Sequence, residues 1–279
     1  MPSGHGRSAA HGGEALAVAG GAHHAGERPG ADGRFRARPH VNVRVAGFPA
    51  CRLAAVEITY FGLNAVRLRG REATVMIDPY EPKLGLSPVR LNVQIVVLTH
   101  EDPTHFSLQG LAGDPHLVTG AGEFEIKGVA MNGTQTYHDA KKGAERGKNF
   151  VFTIEIDDLR CCHLGHLGHG LSEDQLDSIG SKIDVLFVPV GGGSHINSAQ
   201  ATEIVNQIEP KLVVPISYKL PGLTLLAQNL EGVEKFAKEM GATDLTPQAK
   251  LQLSVSPSVE ETKLAILEPR GAAAAATVD

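Results

Sequence analysis

The chain contains no tryptophan and only three cysteines among its 279 residues. Cys51 stands alone, while Cys161 and Cys162 are adjacent, a spacing that suits a disulfide poorly. The cysteines therefore exclude a disulfide framework and favour a reducing, cytoplasmic location. Long apolar runs are also missing, since no stretch approaches the roughly 18–20 residues of a membrane span. The apolar stretch at residues 15–22 is short and interrupted by glycine, so we expect neither a signal peptide nor a membrane partner.

An excess of positive charge is lacking as well. Lys and Arg together number 26 against 31 Asp and Glu, which gives a formal net charge of −5. This balance offers no electrostatic basis for binding a polyanion, so we do not expect nucleic acid as a partner.

The first 55 residues differ in composition from the rest of the chain. They hold ten of the 32 glycines, five of the 13 histidines, and seven arginines against three acidic residues. Such a segment buries too little apolar surface to offset the entropy of ordering it, so we predict that residues 1–55 are disordered. Residues 56–268 contain no linker-like stretch and predict one domain. An alanine-rich tail at residues 269–279 is predicted to be disordered.

Short runs of β-branched and aromatic residues, separated by turn residues, dominate from Val56 onward. Helical spacing of apolar residues comes later, at residues 201–208 and 230–240. The predicted strands cover residues 56–61, 65–68, 74–77, 94–99, 117–119, 124–126, 129–132, 150–156, 159–162, 185–189 and 212–215. A run of strands followed by strand–helix alternation indicates an α/β (α+β) fold in which helices cover sheets.

Histidines follow three of the predicted strands. The segment HEDPTH (residues 100–105) comes directly after the strand at 94–99, YHD (137–139) follows a second strand, and CCHLGHLGH (161–169) follows a third. Ligand sites gather at the carboxyl ends of strands, and imidazole is a common metal ligand. Three separate loops that each supply imidazole therefore predict a metal site.

These segments resemble the metallo-β-lactamase superfamily, and within it the compact Zn-dependent hydrolases related to ascorbate-6-phosphate lactonase. The landmarks occur in the family's order: ITYFG, IDPY, VVLTHEDPTH, YHDAKKGAERGKN, HLGHLGH, FVPVGGG and KLVVPISYK. The resemblance covers nearly all of residues 56–268. It implies a four-layer αββα sandwich, with two mixed sheets face to face, helices outside, and a metal site at one sheet edge.

The resemblance also implies which residues stand at the metal. His100, His105 and His138 match histidines of the family's motifs, but other ligand positions are changed. The changed positions are Asp102 for the motif's second histidine, Thr104 for its aspartate, His166 for the aspartate that bridges two metals, Ser217 for the last histidine, and Leu63 for a histidine after the first strand.

The chemistry of these changes predicts one metal ion rather than two. Asp is an acceptable zinc ligand, so Asp102 can replace an imidazole. Thr104 and Ser217 offer neutral hydroxyls, which are poor ligands for Zn²⁺. We therefore predict a mononuclear zinc site formed by His100, Asp102 and His138, with His166 as an optional fourth ligand. If His166 binds, the shell is closed; if it turns away, one position is open to a water that ionises near pH 7.

The first functional hypothesis is a zinc-dependent hydrolase that acts on an ester, lactone or phosphodiester through a metal-bound hydroxide. Asp102 or His105 would act as the catalytic base. The basic loop after His138 supplies Lys141, Arg146 and Lys148, which can hold an anionic small-molecule substrate. The alternative for that loop is a solvated hairpin tip.

The second hypothesis is a catalytically inactive relative with the same fold, a weak or absent metal, and a binding or scaffold role. The lost ligands support it. A third interpretation places a structural zinc among Cys161, Cys162, His163, His166 and His169, although alternate residues of a strand face opposite sides and divide that set.

The sequence leaves open the roles of Asp78 and of three further histidines. In the resembling proteins the aspartate at Asp78 supports the site from behind, but an aspartate before Pro79 also begins a turn. His163, His169 and His195 can line the cleft, or can be loop histidines with satisfied hydrogen bonds.

Overall fold

The computed structural model describes residues 55–100, 106–223, 229–254 and 261–271. Most of these residues lie in two β-sheets. The first sheet has the strand order β14-β1-β2-β3-β5-β7, the second has the order β15-β13-β12-β11-β10-β9-β8, and β4 pairs with β6 in a small third sheet. The strands are β1 (Val56–Gly62), β2 (Ala65–Arg69), β3 (Thr74–Ile77), β4 (Leu91–Asn92), β5 (Ile95–Leu98), β6 (Leu111–Ala112), β7 (His116–Thr119), β8 (Gly122–Ile126), β9 (Val129–Tyr137), β10 (Lys148–Ile156), β11 (Leu159–His163), β12 (Val185–Pro189), β13 (Leu212–Ile216), β14 (Leu251–Leu253) and β15 (Lys263–Leu264).

The main hydrophobic core lies between the two sheets. Alternate residues of the first sheet, such as Ile58 and Tyr60 on β1, join residues of the second sheet, such as Phe152 and Phe187, in one buried cluster, and these four side chains have no solvent exposure. Burying each of these large side chains contributes about 1.5–3 kcal/mol or more. A second cluster covers the opposite face of the first sheet. This cluster includes Tyr80, apolar residues between 84 and 93, and Leu84 of a 3-10 turn at Pro82–Leu84. It contains no residue of the three α-helices described below.

The described residues contain three α-helices. They are α1 (Glu173–Ile179), α2 (Ser198–Ile208) and α3 (Val233–Glu239). α1 contacts β9 and β10, and α2 contacts β12 and α3, so helices cover the outer face of the second sheet. α2 contains the predicted run at 201–208 and begins at Ser198, because the Asn197 side chain accepts a hydrogen bond from the Gln200 backbone N–H in a capping box. The described residues contain no helix that is long and apolar enough to cross a membrane.

Three features differ from the sequence prediction. The pattern at 230–240 yields a helix only from Val233, because Gly232 is its N-cap, whereas Leu230 lines a pocket. The helix α1 was not predicted, although Ser172 and Gln175 form a capping box there. Arg270 and Gly271, which lie in the predicted C-terminal tail, donate backbone hydrogen bonds to carbonyls of β1.

The topology brings many strand ends to one rim of the sandwich. In the second sheet β11, β12 and β13 are mutually parallel, and β9 runs in the same direction because β10 is antiparallel to both β9 and β11. In the first sheet β3 and β5 are parallel neighbours. The residues after these six strands are the polar residues of the candidate site.

Candidate metal centre

Among the described residues, five side chains that can bind a metal meet at this rim, each after a different strand. Asp78 follows β3, His100 follows β5, His138 follows β9, His166 follows β11, and His195 follows β12. They form two overlapping groups, one of Asp78, His100 and His166 and one of His138, His166 and His195. Within each group, one ligand atom of each residue lies within 4.8 Å of those of the others.

Asp78 and His100 form the side of the site that belongs to the first sheet. Asp78 has a φ of 41° and is buried at the end of β3. Its carboxylate accepts hydrogen bonds from the Thr99 backbone N–H at 2.8 Å and the Thr99 hydroxyl at 2.5 Å. Burial raises the pKa of Asp78 to about 7 against the opposing effect of these hydrogen bonds. The Asp78 Oδ1 lies 4.0 Å from His100 Nδ1, so this carboxylate stands behind the imidazole.

His138, His166 and His195 form the side that belongs to the second sheet. The ring centres lie 4.9 Å apart for His138 and His166, 5.0 Å for His166 and His195, and 5.6 Å for His138 and His195. His166 Nδ1 and His195 Nε2 are 2.9 Å apart, within hydrogen-bond distance. The surrounding side chains desolvate His195 and lower its pKa to about 3, so its imidazole is neutral, the form that binds metals.

Backbone contacts hold the loop of His166 against its neighbours. The His166 N–H donates to Asn149 Oδ1 at 2.7 Å, and the Asn149 amide nitrogen donates to the Leu164 carbonyl and the Thr136 hydroxyl. Gly165 has a φ of +62°, and a Cβ there would lie 2.6 Å from both Thr99 and Asn149. The glycine in HLGH therefore allows the His166 loop to approach the end of β5 closely.

At the end of β13, the described residue that faces the site is Ser217 and not a histidine. Ser217 is buried, has a φ of 51°, and donates its hydroxyl hydrogen bond to Asn64 Oδ1. Its backbone N–H donates to the Leu63 carbonyl at 2.9 Å. Ser217 therefore ties the ends of β13 and β1 together, and its hydroxyl is occupied by Asn64.

A pocket opens between these residues. Asp78, His100, His138, His166 and His195 line it together with other residues that are mostly apolar or hydroxyl-bearing: Leu63, Asn64, Tyr80, Leu84, Ser194, Ser217 and Leu230. The free space among them is ≈ 90 Å³. A cavity of ~10–15 Å³ on this scale holds one water, so the pocket has room for an ion and a small reacting group. The donor set of imidazole and carboxylate is the chemistry that Zn²⁺ and related transition metals bind.

The structure brings three of the predicted ligands together. His100, His138 and His166 share this pocket. Asp102 and His105, predicted as a ligand and as catalytic residues, lie outside the described residues.

The predicted substrate-binding loop is organised around Asp139. Its carboxylate accepts hydrogen bonds from the backbone N–H groups of residues 141, 143, 145 and 146, which hold its pKa below the usual value although desolvation opposes this. Lys141 is exposed and pairs with Glu145, and Lys148 is exposed at the start of β10. Desolvation is the main cause of the low pKa of His195, and the charge of Arg146 contributes to it, so the guanidinium lies within electrostatic reach of the pocket.

The structural zinc site considered for Cys161, Cys162, His163, His166 and His169 is wrong. Both cysteines are buried in the core, where burial raises the pKa of Cys162, and neither belongs to a group of described residues whose ligand atoms converge on one point. His163 lies between the Asn64 carbonyl and the Gly165 N–H. His169 Nε2 accepts from the Tyr137 N–H. These two imidazoles are hydrogen-bonding partners of the backbone.

Sequence reasoning did not include His195 or Asp78 in its metal set. His195 follows the buried strand β12 just as His166 follows β11, so the rule that identified the other loops also applies to it. It was missed because a single histidine after three glycines forms no motif. Asp78 was ambiguous because its neighbour Pro79 is equally typical of a turn.

The comparisons with known proteins agree with this architecture. A sequence model described as the Beta-lactamase superfamily domain matches residues 57–217. A UPF0173 metal-dependent hydrolase of Lysinibacillus sphaericus is 25% identical over 194 residues, which cover 58% of this chain and 85% of that protein. A protein of the same description from Thermococcus onnurineus is 22% identical over 190 residues, covering 58% and 84%.

Solved structures show the same fold. A Thermotoga maritima structure, described as a candidate Zn-dependent hydrolase of the metallo-β-lactamase superfamily, is 28% identical with a TM-score of 0.61, covering 76% of this chain and 100% of that one. A metallo hydrolase of Ignicoccus hospitalis, 18% identical, covers 73% of this chain and 100% of its own with a TM-score of 0.54. The predicted sandwich of two mixed sheets is confirmed.

Proposed function

Because the chain belongs to the Beta-lactamase superfamily domain family, we propose that it is a metal-dependent hydrolase whose metal is bound at the histidine-lined pocket. The observation that carries the proposal is the convergence of imidazoles from separate strand ends on that pocket. Relatives described as metal-dependent hydrolases, such as the protein of Lysinibacillus sphaericus, support the same assignment. Surface histidines without a binding role have no reason to meet at one buried point.

The proposed metal is a single zinc ion. Imidazole and carboxylate suit Zn²⁺, which acts as a Lewis acid and lowers the pKa of bound water towards 7. The proposed ligands include His100, His138 and His166, together with Asp102. One ion is proposed because Ser217 gives its hydroxyl to Asn64 and therefore offers no ligand to a second ion.

The chain's own residues are proposed to do the remaining work. Asp102 or His105 takes the proton from the attacking water as the reaction proceeds. Apolar side chains of the pocket, among them Leu63 and Leu230, limit access of bulk water to the metal. The substrate class is a small ester, lactone or phosphodiester. Arg146, with Lys141 and Lys148 on the same loop, is proposed to attract an anionic substrate group. A cytoplasmic location remains part of this proposal.

The test is the metal content and hydrolytic activity of the purified, dialysed protein. We expect about one zinc per chain by plasma mass spectrometry, loss of that zinc in H138A, and retention in H116A, whose exposed histidine lies on β7. Nitrophenyl esters, a chromogenic lactone and bis-nitrophenyl phosphate are the activity probes. Turnover of one class should be abolished by a chelator and by H138A, but not by H116A.

Absence of stoichiometric metal in the wild-type protein would contradict the proposal and favour the inactive binding relative. Stoichiometric metal without turnover of any probe would retain the metal site and reject hydrolysis of these bond types.

The proposed attraction between Arg146 and an anionic substrate group is tested separately. R146A should raise KM for the phosphodiester more than KM for a neutral ester, because only the former loses an attraction to its charge.

A further inference from the structure

We propose that His195 is a metal ligand and that the three imidazoles of His138, His166 and His195 form the main binding set of the ion. The inference rests on the proposed function only in requiring that a metal binds. It changes the ligand set, because His195 comes from the loop after β12, which none of the motif positions includes. It also assigns His166 as a ligand, with its imidazole facing the ion and not turned away.

The spacing of the three rings fits tetrahedral coordination. Zn–N bonds of about 2.0–2.1 Å, extended by the ~1.1 Å from a ring nitrogen to the ring centre, separate two imidazole centres by roughly 5.2 Å at the tetrahedral angle. The observed separations are 4.9, 5.0 and 5.6 Å. One nitrogen from each ring already lies within 4.8 Å of the others, so small side-chain rotations complete the site.

His100 fits the same test less well. Its ring centre lies 4.0 Å from that of His166 and 6.2 Å from that of His138. These distances are shorter and longer, respectively, than the roughly 5.2 Å expected for two tetrahedral imidazole ligands. His100 also faces the Asp78 carboxylate, 4.0 Å from its Nδ1. His195 therefore matches the pair His138–His166 better than His100 does.

The backbone holds His195 in place. The Ile196 N–H donates to the Leu167 carbonyl at 2.9 Å, which joins the His195 loop to the His166 loop directly. The His195 N–H donates to the Gly192 carbonyl at 3.1 Å, closing a tight turn in which Gly192 has a φ of +68°. A ligand fixed by its own loop loses little conformational entropy when a metal binds.

The position of His195 also explains how a site persists beside Ser217. β12 and β13 are parallel neighbours, so the loop after β12 reaches the same rim as the end of β13. The hydroxyl of Ser217 is bonded to Asn64, whereas His195 Nε2 points to His166 Nδ1 at 2.9 Å. An imidazole from the adjacent strand end thus supplies the ligand, and three imidazoles leave one tetrahedral position open.

The first experiment compares metal affinity in H195A with that in H116A and the wild-type protein, by competition with a chromogenic chelator. Loss of an outer hydrogen-bonding partner typically weakens metal binding about 10–100-fold, so loss of a ligand should weaken it at least about tenfold. H116A should match the wild type. Circular dichroism of the metal-free proteins checks that each variant folds. Wild-type affinity in folded H195A would overturn the proposal.

The second experiment gives a signature that a structural role for His195 cannot produce. In H195C loaded with Co²⁺, a thiolate at this position should add a sulfur-to-cobalt charge-transfer band and raise the preference for Cd²⁺ over Zn²⁺, because thiolate is the softer ligand. Absence of both changes in the loaded variant would overturn the proposal. A wild-type protein that binds no metal would instead reject the proposed function, so the two failures are distinguishable.

Discussion

At the residue scale, the histidines of this protein have different roles because their ring nitrogens face different partners. His195 presents Nε2 to another imidazole at 2.9 Å, in a pocket. His163, on the buried strand β11, has Nε2 3.0 Å from the Asn64 carbonyl and Nδ1 3.1 Å from the Gly165 N–H. A carbonyl accepts and an N–H donates, so His163 must be the neutral Nε2–H tautomer. A proton on Nδ1 would break the second hydrogen bond.

The first prediction concerns the pH dependence of stability. Burial lowers the pKa of His163 from 6.5 to about 4, against the opposing effect of the Asn64 carbonyl. Between these values the unfolded chain binds a proton that the folded chain does not, so the free energy of unfolding falls as pH falls from 6.5 to 4. The His163 contribution is about 3 kcal/mol across that interval. In urea-unfolding experiments, the free energy of unfolding of H163Q should fall less between pH 7 and pH 4.5 than that of the wild-type protein. Equal declines in the two proteins would contradict the burial argument.

How far single residues could be predicted depends on whether they form a motif. His100, His138 and His166 were identified because each follows a buried strand and two of them stand in recognisable histidine patterns. His195 was set aside because a single loop histidine is common. Its importance depends on β12 lying between β11 and β13, which is a property of strand order and not of the local sequence.

At the scale of elements, the strands were predictable and the loops that carry the site were only partly so. β3 has the predicted bounds, because its apolar run stops at the Asp78-Pro79 turn. β9 and β10 are longer than predicted, reaching Tyr137 and beginning at Lys148. Each pairs with a long neighbour, and the hydrogen bonds of that pairing extend strands through polar residues that have little β-propensity of their own.

The second prediction concerns the loop after β11. G165A places a methyl group 2.6 Å from Thr99 and Asn149 and forces an L-residue into a φ of +62°. We expect a loss of stability of about 1–3 kcal/mol, together with weaker metal binding, because His166 is the next residue. G170A is the matched control, since a Cβ there meets nothing within 4 Å. Melting temperatures and chelator competition measure both effects. Similar values for the two variants would show that the close approach at Gly165 does not matter.

At the scale of the whole molecule, the site exists because strands from two sheets end at the same rim. Parallel pairing of β3 with β5 places Asp78 beside Thr99, and parallel pairing of β11, β12 and β13 places the His166 and His195 loops side by side. The sequence alone indicated two sheets and their helices through the family resemblance. It could not give the register, because continuous apolar runs such as 94–99 look alike on both faces.

The last prediction concerns where the folded domain ends. Arg270 and Gly271 donate backbone hydrogen bonds of 3.0 Å to the Tyr60 and Phe61 carbonyls, and the Ser87 N–H donates to the Gly271 carbonyl at 2.8 Å. These contacts join residues 270–271, the C-terminal strap, to β1 and to residues 84–93, which cover the first sheet. A chain ending at Glu268 should be less stable than one ending at Gly271 by about 2–3 kcal/mol, at roughly 1 kcal/mol for each lost hydrogen bond. Urea-unfolding midpoints of the two truncated proteins measure this difference. If the midpoints coincide, the domain boundary lies at residue 268, as the sequence composition predicts, because the strap then adds nothing to the fold.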